Sequence, residues 1–312
     1  MLNHMNSRTL AIATRQSPLA LWQANHIREQ LLKLWPKLHV ELVPMVTSGD
    51  KFLKDKLLAV GGKGLFVKEL EEALLDKRAD LAVHSTKDMP ALLPSGLSLS
   101  VICKRDNPFD ALISHHYPNL NALPSQAIVG TASLRRQSQL LAYRPDLQIK
   151  TLRGNIQTRL GKLQAGEYDA IILAASGLER MNLQDSITEL LSDELMLPTC
   201  GQGALCIESR TEDTEVQELI KPLNDPSSAL CVQTERLVNA QLGGNCHVPL
   251  AVFCTITEEN QLYLRARLLS TDGIVSISHS QTASQEQANL LARQCTESLF
   301  AQGAASLLST NS

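Results

Sequence analysis

The chain has 312 residues, 44% hydrophobic and 20% charged, and its 29 lysines and arginines against 32 aspartates and glutamates leave a formal net charge of -3. That length calls for more than one hydrophobic core, and the composition excludes a disordered, collagen-like or coiled-coil chain. A slightly acidic whole gives no global reason to bind nucleic acid or an anionic membrane, so any anion site must be local.

Strand and helix periods alternate from the start. Leu10-Ala-Ile-Ala13 predicts a buried strand, and Ser17-Pro18 supplies the cap and first residue of a helix running to about Leu34. Val40 to Val46 predicts the next strand, Leu65 to Leu75 an amphipathic helix, and Leu81 to His84 and Leu97 to Cys103 two more strands. After the turn-rich Lys104-Arg-Asp-Asn-Pro108 the alternation restarts. Strands are expected at Ala127 to Gly130, Leu147 to Leu152 and Ala170 to Leu173, and helices at Ser133 to Tyr143 and Asn155 to Leu163. Pro198 to Gly203 interrupts the pattern, and the apolar Ala204-Leu-Cys-Ile207 is expected to return to the first sheet as one strand. From Asp225 the style changes. A helix to about Leu242, strands at Leu250 to Ile256, Leu262 to Leu269 and Ile274 to Ser280, and a helix from Gln285 to Phe300 predict a small α+β domain with a three-stranded antiparallel sheet. The tail beyond Gly303 is expected to be loose. The division is domain 1 (1–104 plus 201–221), domain 2 (105–200) and domain 3 (222–312).

No stretch approaches the roughly 18 apolar residues of a spanning helix. The start, Met1-Leu-Asn-His-Met-Asn-Ser-Arg8, lacks a basic segment followed by an apolar one, so a cytoplasmic location is expected. Seven cysteines (103, 200, 206, 231, 246, 254 and 295), without CxxC spacing, suit a reducing compartment and suggest no metal site. Most lie in apolar runs, but Cys246 stands in Gly243-Gly-Asn-Cys-His-Val-Pro249, a loop whose thiol can react.

Basic residues concentrate in one place. Thr131 to Leu163 holds seven of them (Arg135, Arg136, Arg144, Lys150, Arg153, Arg159 and Lys162) against the single acid Asp146. Arg135, Arg136 and Arg153 fall at or just after predicted strand C-termini, the edge where open α/β sheets bind ligands. Ser133 can cap the helix that follows or meet an anion at its N-terminus, and arginine forks grip carboxylates bidentately. A solvated basic helix face is the better reading of Arg144, Lys150 and Lys162, and accounts equally well for Arg135 and Arg136. Ala13-Thr-Arg15-Gln-Ser17-Pro18 repeats the arrangement in the first lobe, where Ser17 is also a simple cap. In His84-Ser-Thr-Lys87-Asp88-Met-Pro90 a buried strand ends in a lysine and a carboxylate. Asp88 beside cations stays ionised and could stabilise a developing cation, although a surface Asp-Lys pair has the same spacing. His84 reads as a core histidine. Gly61-Gly-Lys63-Gly-Leu-Phe66 lacks the phosphate-loop pattern and reads instead as a lid carrying Lys63 and Phe66.

Taken together, Ala13-Thr-Arg-Gln-Ser-Pro-Leu-Ala-Leu-Trp22, Gly61-Gly-Lys-Gly-Leu-Phe-Val-Lys-Glu69, His84-Ser-Thr-Lys-Asp88, Gly130-Thr-Ala-Ser-Leu-Arg-Arg136, Leu152-Arg-Gly-Asn155, Gly201-Gln-Gly203 and the Cys246 loop resemble the porphobilinogen deaminase family over nearly the whole chain. The resemblance implies an α/β fold of two periplasmic-binding-protein-like doubly wound lobes plus the small third domain. It implies a dipyrromethane cofactor in thioether linkage to Cys246, and a monomer that takes porphobilinogen. Four porphobilinogen molecules are joined head to tail into hydroxymethylbilane with loss of ammonia. The roles carried over are catalysis for Asp88, cofactor binding for Lys87, Ser85, Thr131, Ser133, Arg135, Arg136 and Gly154, and substrate binding for Arg15, Ser17, Arg153, Arg159, Arg180 and Gln202. The family pattern has Glu-Gly-Gly before the cysteine where this chain has Gly243-Gly244-Asn245, and Thr86 and Ala132 also depart from it. Two other readings stand beside this one: an inactive paralogue, and a two-lobed carboxylate-binding module without catalysis.

Overall fold

The computed structural model describes residues 9–51, 66–243 and 248–310. The chain begins with β1 (Thr9–Arg15), α1 (Pro18–Leu34), β2 (His39–Met45), the short α2 (Ser48–Lys51), α3 (Lys68–Leu75), β3 (Leu81–Ser85) and β4 (Leu97–Ile102). It continues through β5 (Asp110–Ile113), β6 (Ile128–Gly130), α4 (Leu134–Tyr143), β7 (Gln148–Lys150), α5 (Ile156–Gln164), β8 (Ala170–Ala174), α6 (Ala175–Arg180) and β9 (Glu189–Leu190). Next come β10 (Leu205–Arg210), α7 (Thr214–Ile220), α8 (Pro226–Gln241), β11 (Leu250–Ile256), β12 (Leu262–Leu269), β13 (Ser276–Ala283), α9 (Ala288–Ala301) and α10 (Ala304–Thr310). These elements form two compact units, 1–105 with 204–229 and 106–203 with 230–312.

The first unit holds a five-stranded sheet in the order β2-β1-β3-β10-β4. β1 runs parallel to β2 and β3, whereas β10 is antiparallel to β3 and β4, so the segment after Gly203 does return to the first sheet. Its apolar run is buried along Leu205, Cys206 and Ile207, as a central strand covered on both faces requires. α1 starts where the sequence places it, with the Ser17 side chain accepting from Ala20 N at 3.3 Å and Pro18 at the first helical position.

The second unit holds two sheets, one in the order β7-β6-β8-β5-β9 and one in the order β11-β12-β13. β5 and β9 escape sequence reading because strands of four and two residues are too short to show a period. In the three-stranded sheet β12 alternates buried and half-buried positions, turning Leu262, Leu264, Ala266 and Leu268 to the core. The third strand begins at Ser276 and ends at Ala283, later than Ile274 to Ser280, because the β12–β13 turn extends through Val275. The expected loose tail is corrected. α10 is helical over Ala304–Thr310, Ala304 is fully buried, and Leu307 and Leu308 pack on the same core. Burying those apolar side chains offsets the entropy of ordering a chain end.

The three-stranded sheet braces α4. Gly273, with φ +75, sits so close to this helix that an added Cβ would meet Ala142 N at 2.5 Å and Ser138 O at 2.6 Å. Arg267 donates to Gln139 at 3.1 Å, Gln137 donates to the Thr271 carbonyl at 3.1 Å, and Arg265 pairs with Asp193.

Candidate active site

In the first unit the candidate residues cluster at the C-terminal end of the parallel strands. Arg15 closes β1, half-buried, with its guanidinium 4.3 Å from the centre of the Phe66 ring. The Phe66 ring occupies the space over Gly49 that a Cβ would need. β3 ends at Ser85, whose hydroxyl accepts from Gln23 Nε2 at 2.8 Å. A single tight turn, Thr86–Asp88, then carries Lys87 half-buried and Asp88 exposed. This turn is tied back by Thr86 N donating to the Ala204 carbonyl at 3.0 Å and Met89 N to the Thr86 carbonyl at 3.1 Å. The sequence reading of Lys63 as a lid residue and of Cys246 as the covalent anchor falls outside the described residues.

Directly behind that turn lies a buried acidic cluster. His84, one residue before Ser85, meets Glu208 of β10 at 3.1 Å, and both side chains are buried. His84 is therefore the core histidine the sequence suggested. Glu71 of α3 is also buried, and one oxygen each of Glu71 and Glu208 lacks a hydrogen-bond partner. Burial first, and then the negative Glu208, push the Glu71 carboxyl up to about 7.

In the second unit the cations gather at the start of α4. Ser133 caps this helix, Thr131 Oγ1 accepts from Ser133 N at 3.1 Å, and Arg135 and Arg136 occupy the first turn. Two cations there oppose the helix dipole. Asp110, the first residue of β5 and fully buried, is what holds them. It meets Arg135 Nη2 at 2.7 Å and Arg136 through Nε at 3.0 Å and Nη2 at 2.8 Å. The forks are closed further on main-chain oxygens, Arg135 on Leu197 at 2.8 Å and Arg136 on Ile172 at 3.1 Å. Burial, partly offset by Asp110, lowers the Arg135 pKa, and Arg136 lowers it further. Gln202, also fully buried, donates to Asp110 at 3.0 Å and to the Pro108 carbonyl at 2.7 Å.

The remaining predicted cations differ in how far the protein itself occupies them. Arg180 is buried and clamped by Asp106 at 2.8 Å and the Gly203 carbonyl at 2.7 Å. Arg159 donates to the Gly154 carbonyl at 2.7 Å. Gly154 itself has φ +121 and no room for a Cβ, which would lie 2.7 Å from Thr158. Arg153 is exposed. Asp110 is the residue that sequence reasoning missed. Its only sequence signal is an acid at the head of an apolar run, Asp110-Ala-Leu-Ile113, in which all four residues are buried.

Comparison with known proteins decides the family. Residues 10–218 match the family model described as "Porphobilinogen deaminase, dipyromethane cofactor binding domain", and residues 229–301 match "Porphobilinogen deaminase, C-terminal domain". The chain belongs to the porphobilinogen deaminase family. It is similar to the porphobilinogen deaminases of Legionella pneumophila strains Lens and Paris, each 70% identical over 98% of this chain and 99% of the relative. Among solved structures it is similar to the BvgS VFT2 domain of Bordetella pertussis, with a TM-score of 0.40 and 17% identity over 69% of this chain and 85% of the other. Membership of the porphobilinogen deaminase family makes the chain a transferase of tetrapyrrole biosynthesis. Among the described residues no helix is long and apolar enough to cross a membrane.

Proposed function

We propose that the chain joins four porphobilinogen molecules head to tail into hydroxymethylbilane, releasing ammonia, with Asp88 as the catalytic carboxylate and the arginines as holders of the pyrrole side-chain carboxylates. The observation that carries this reading is the pairing of Lys87 and exposed Asp88 on one tight turn at the end of a buried strand. A carboxylate on a turn whose backbone is tied back by hydrogen bonds can stabilise the positive charge that develops on the substrate as ammonia leaves, and can accept a pyrrole N–H proton. Arg15, half-buried, and Arg153, exposed, are read as the cations that touch substrate carboxylates directly.

The donor set fits a carboxylate-rich dipyrromethane. Arg135 and Arg136 share the single carboxylate of Asp110, and Arg135 Nε is buried with no hydrogen-bond partner. Cys246 would hold the cofactor through sulfur, with Lys87, Ser85, Thr131, Ser133, Arg135, Arg136 and Gly154 around it. When bound, the cofactor supplies the pyrrole carbon to which the first substrate is added. Of the other substrate roles, Ser17 and Arg159 are read as taking further carboxylates, whereas Arg180 and Gln202, held by Asp106 and Asp110, would act by supporting the site from behind. We read the working form as a cytoplasmic monomer of three domains, 1–104 with 201–221, 105–200 and 222–312, which light scattering on the purified protein tests for mass.

The decisive experiment is the intact mass of denatured wild type beside Cys246→Ser. A mass excess of two linked pyrroles on the wild type alone is expected. A bare polypeptide that stays bare after incubation with porphobilinogen would point instead to an inactive paralogue or a carboxylate-binding module. Asp88→Asn is expected to load cofactor normally yet turn over on the order of a hundredfold to a thousandfold more slowly. Turnover near the wild-type rate would remove Asp88 from the reaction.

A further inference from the structure

The first turn of α4 carries a charge arrangement that the fold alone does not require. Two guanidinium groups lie side by side, both nearly wholly buried, and the carboxylate they meet is that of Asp110. The other acceptors they reach are the neutral Leu197 and Ile172 carbonyls. Counted over these three side chains, one positive charge is left over. A buried cation without its own counter-ion is costly, and it opposes the dipole of the helix on which it sits. Such an arrangement is kept where an anion is to be received.

We propose that Asp110 is a positioning residue for the arginine site: it fixes Arg135 and Arg136 and halves their charge, so that the pair receives one carboxylate of the cofactor. Asp110 is suited to the task because both of its oxygens face a cation: Oδ2 lies in an ion pair with Arg135, and Oδ1 accepts hydrogen bonds from Arg136 and Gln202. It also heads β5, whose pairing opposite Ala174 of β8 fixes it to the sheet. The buried carboxylate therefore sets where the two forks point, and Gln202 sets where the carboxylate points. This inference rests on the reading of Arg135 and Arg136 as cofactor holders.

The test uses full-length protein and reads the fraction carrying the two-pyrrole mass, together with KM and kcat for porphobilinogen. Asp110→Asn keeps the shape and removes the charge. Leu120→Ala, a buried apolar truncation in the same unit, supplies a variant that loses stability without touching any charge. Expected for Asp110→Asn is a loaded fraction reduced several-fold below that of Leu120→Ala. KM for the loaded portion should rise about tenfold, the size of one lost charge-assisted contact. Loading and KM equal to those of Leu120→Ala would overturn the proposal and leave Asp110 a structural residue. Should Asp110→Asn fail to accumulate, Asp110→Glu is read in its place. It keeps the charge and displaces it by one methylene, so reduced loading is expected and wild-type loading overturns the proposal. Failure of the underlying reading looks different, because there the wild type itself carries no pyrrole mass.

Discussion

The two units each bury a cluster of charges, and the clusters are unbalanced in opposite directions. In the first unit two buried acids, Glu71 and Glu208, lie near one imidazole, that of His84, which meets Glu208. In the second Arg135 and Arg136 share the one carboxylate of Asp110. A surplus of acid in a dry interior can be relieved by a proton, which is why the Glu71 carboxyl is pushed up to about 7. A surplus of guanidinium has no such escape, since arginine keeps its proton, and in our proposal it is an incoming anion that relieves it. The acid-rich cluster is therefore expected to respond to pH, whereas the cation-rich cluster is the one we propose receives a ligand.

Removing Asp110 breaks the contrast most severely. Asp110→Ala leaves both arginines buried without a carboxylate, and a loss of about 3–5 kcal/mol in denaturant unfolding is expected. A loss below about 1 kcal/mol would mean that the cations find other partners. Glu71→Gln tests the acid-rich side. The folded pKa is raised above the ordinary 4.5, so this group's contribution to stability is fully present below 4.5 and is lost as pH rises through about 7. The wild type should lose melting temperature between those values relative to Glu71→Gln, which should be the more stable of the two at pH 8. Parallel melting curves across pH 5 to 8 would refute the shift. The smallest effect marks the floor. Lys68 and Glu72 form an exposed i,i+4 pair at 3.8 Å, and Lys68→Ala should change stability by no more than about 0.5 kcal/mol.

Much of the fold was legible because local rules fix it. The Ser17-Pro18 cap, the Asn155 cap accepting from Thr158 N at 2.8 Å and the alternation along Leu262–Leu269 each involve residues a few positions apart. The capping serines and the arginines beside them were also visible, in both lobes. What could not be read was how far each cation is already engaged. Arg15 and Arg136 look alike in sequence, each close to a capping serine. Yet Arg15 precedes its cap and stacks on Phe66 at a strand end, whereas Arg136 follows its cap and turns inward to a carboxylate 26 residues away.

The sequence by itself determined the alternation of strands and helices, the caps and the family motifs, because hydrophobic period and capping chemistry act over three or four residues. Only the tertiary structure decided the charge balance of the two interiors. His84 and Glu208 are 124 residues apart, and Gln202 meets Asp110 across 92. Which acid faces which base at such separations depends on strand order and register, and burial then makes that choice costly or favourable for each charge.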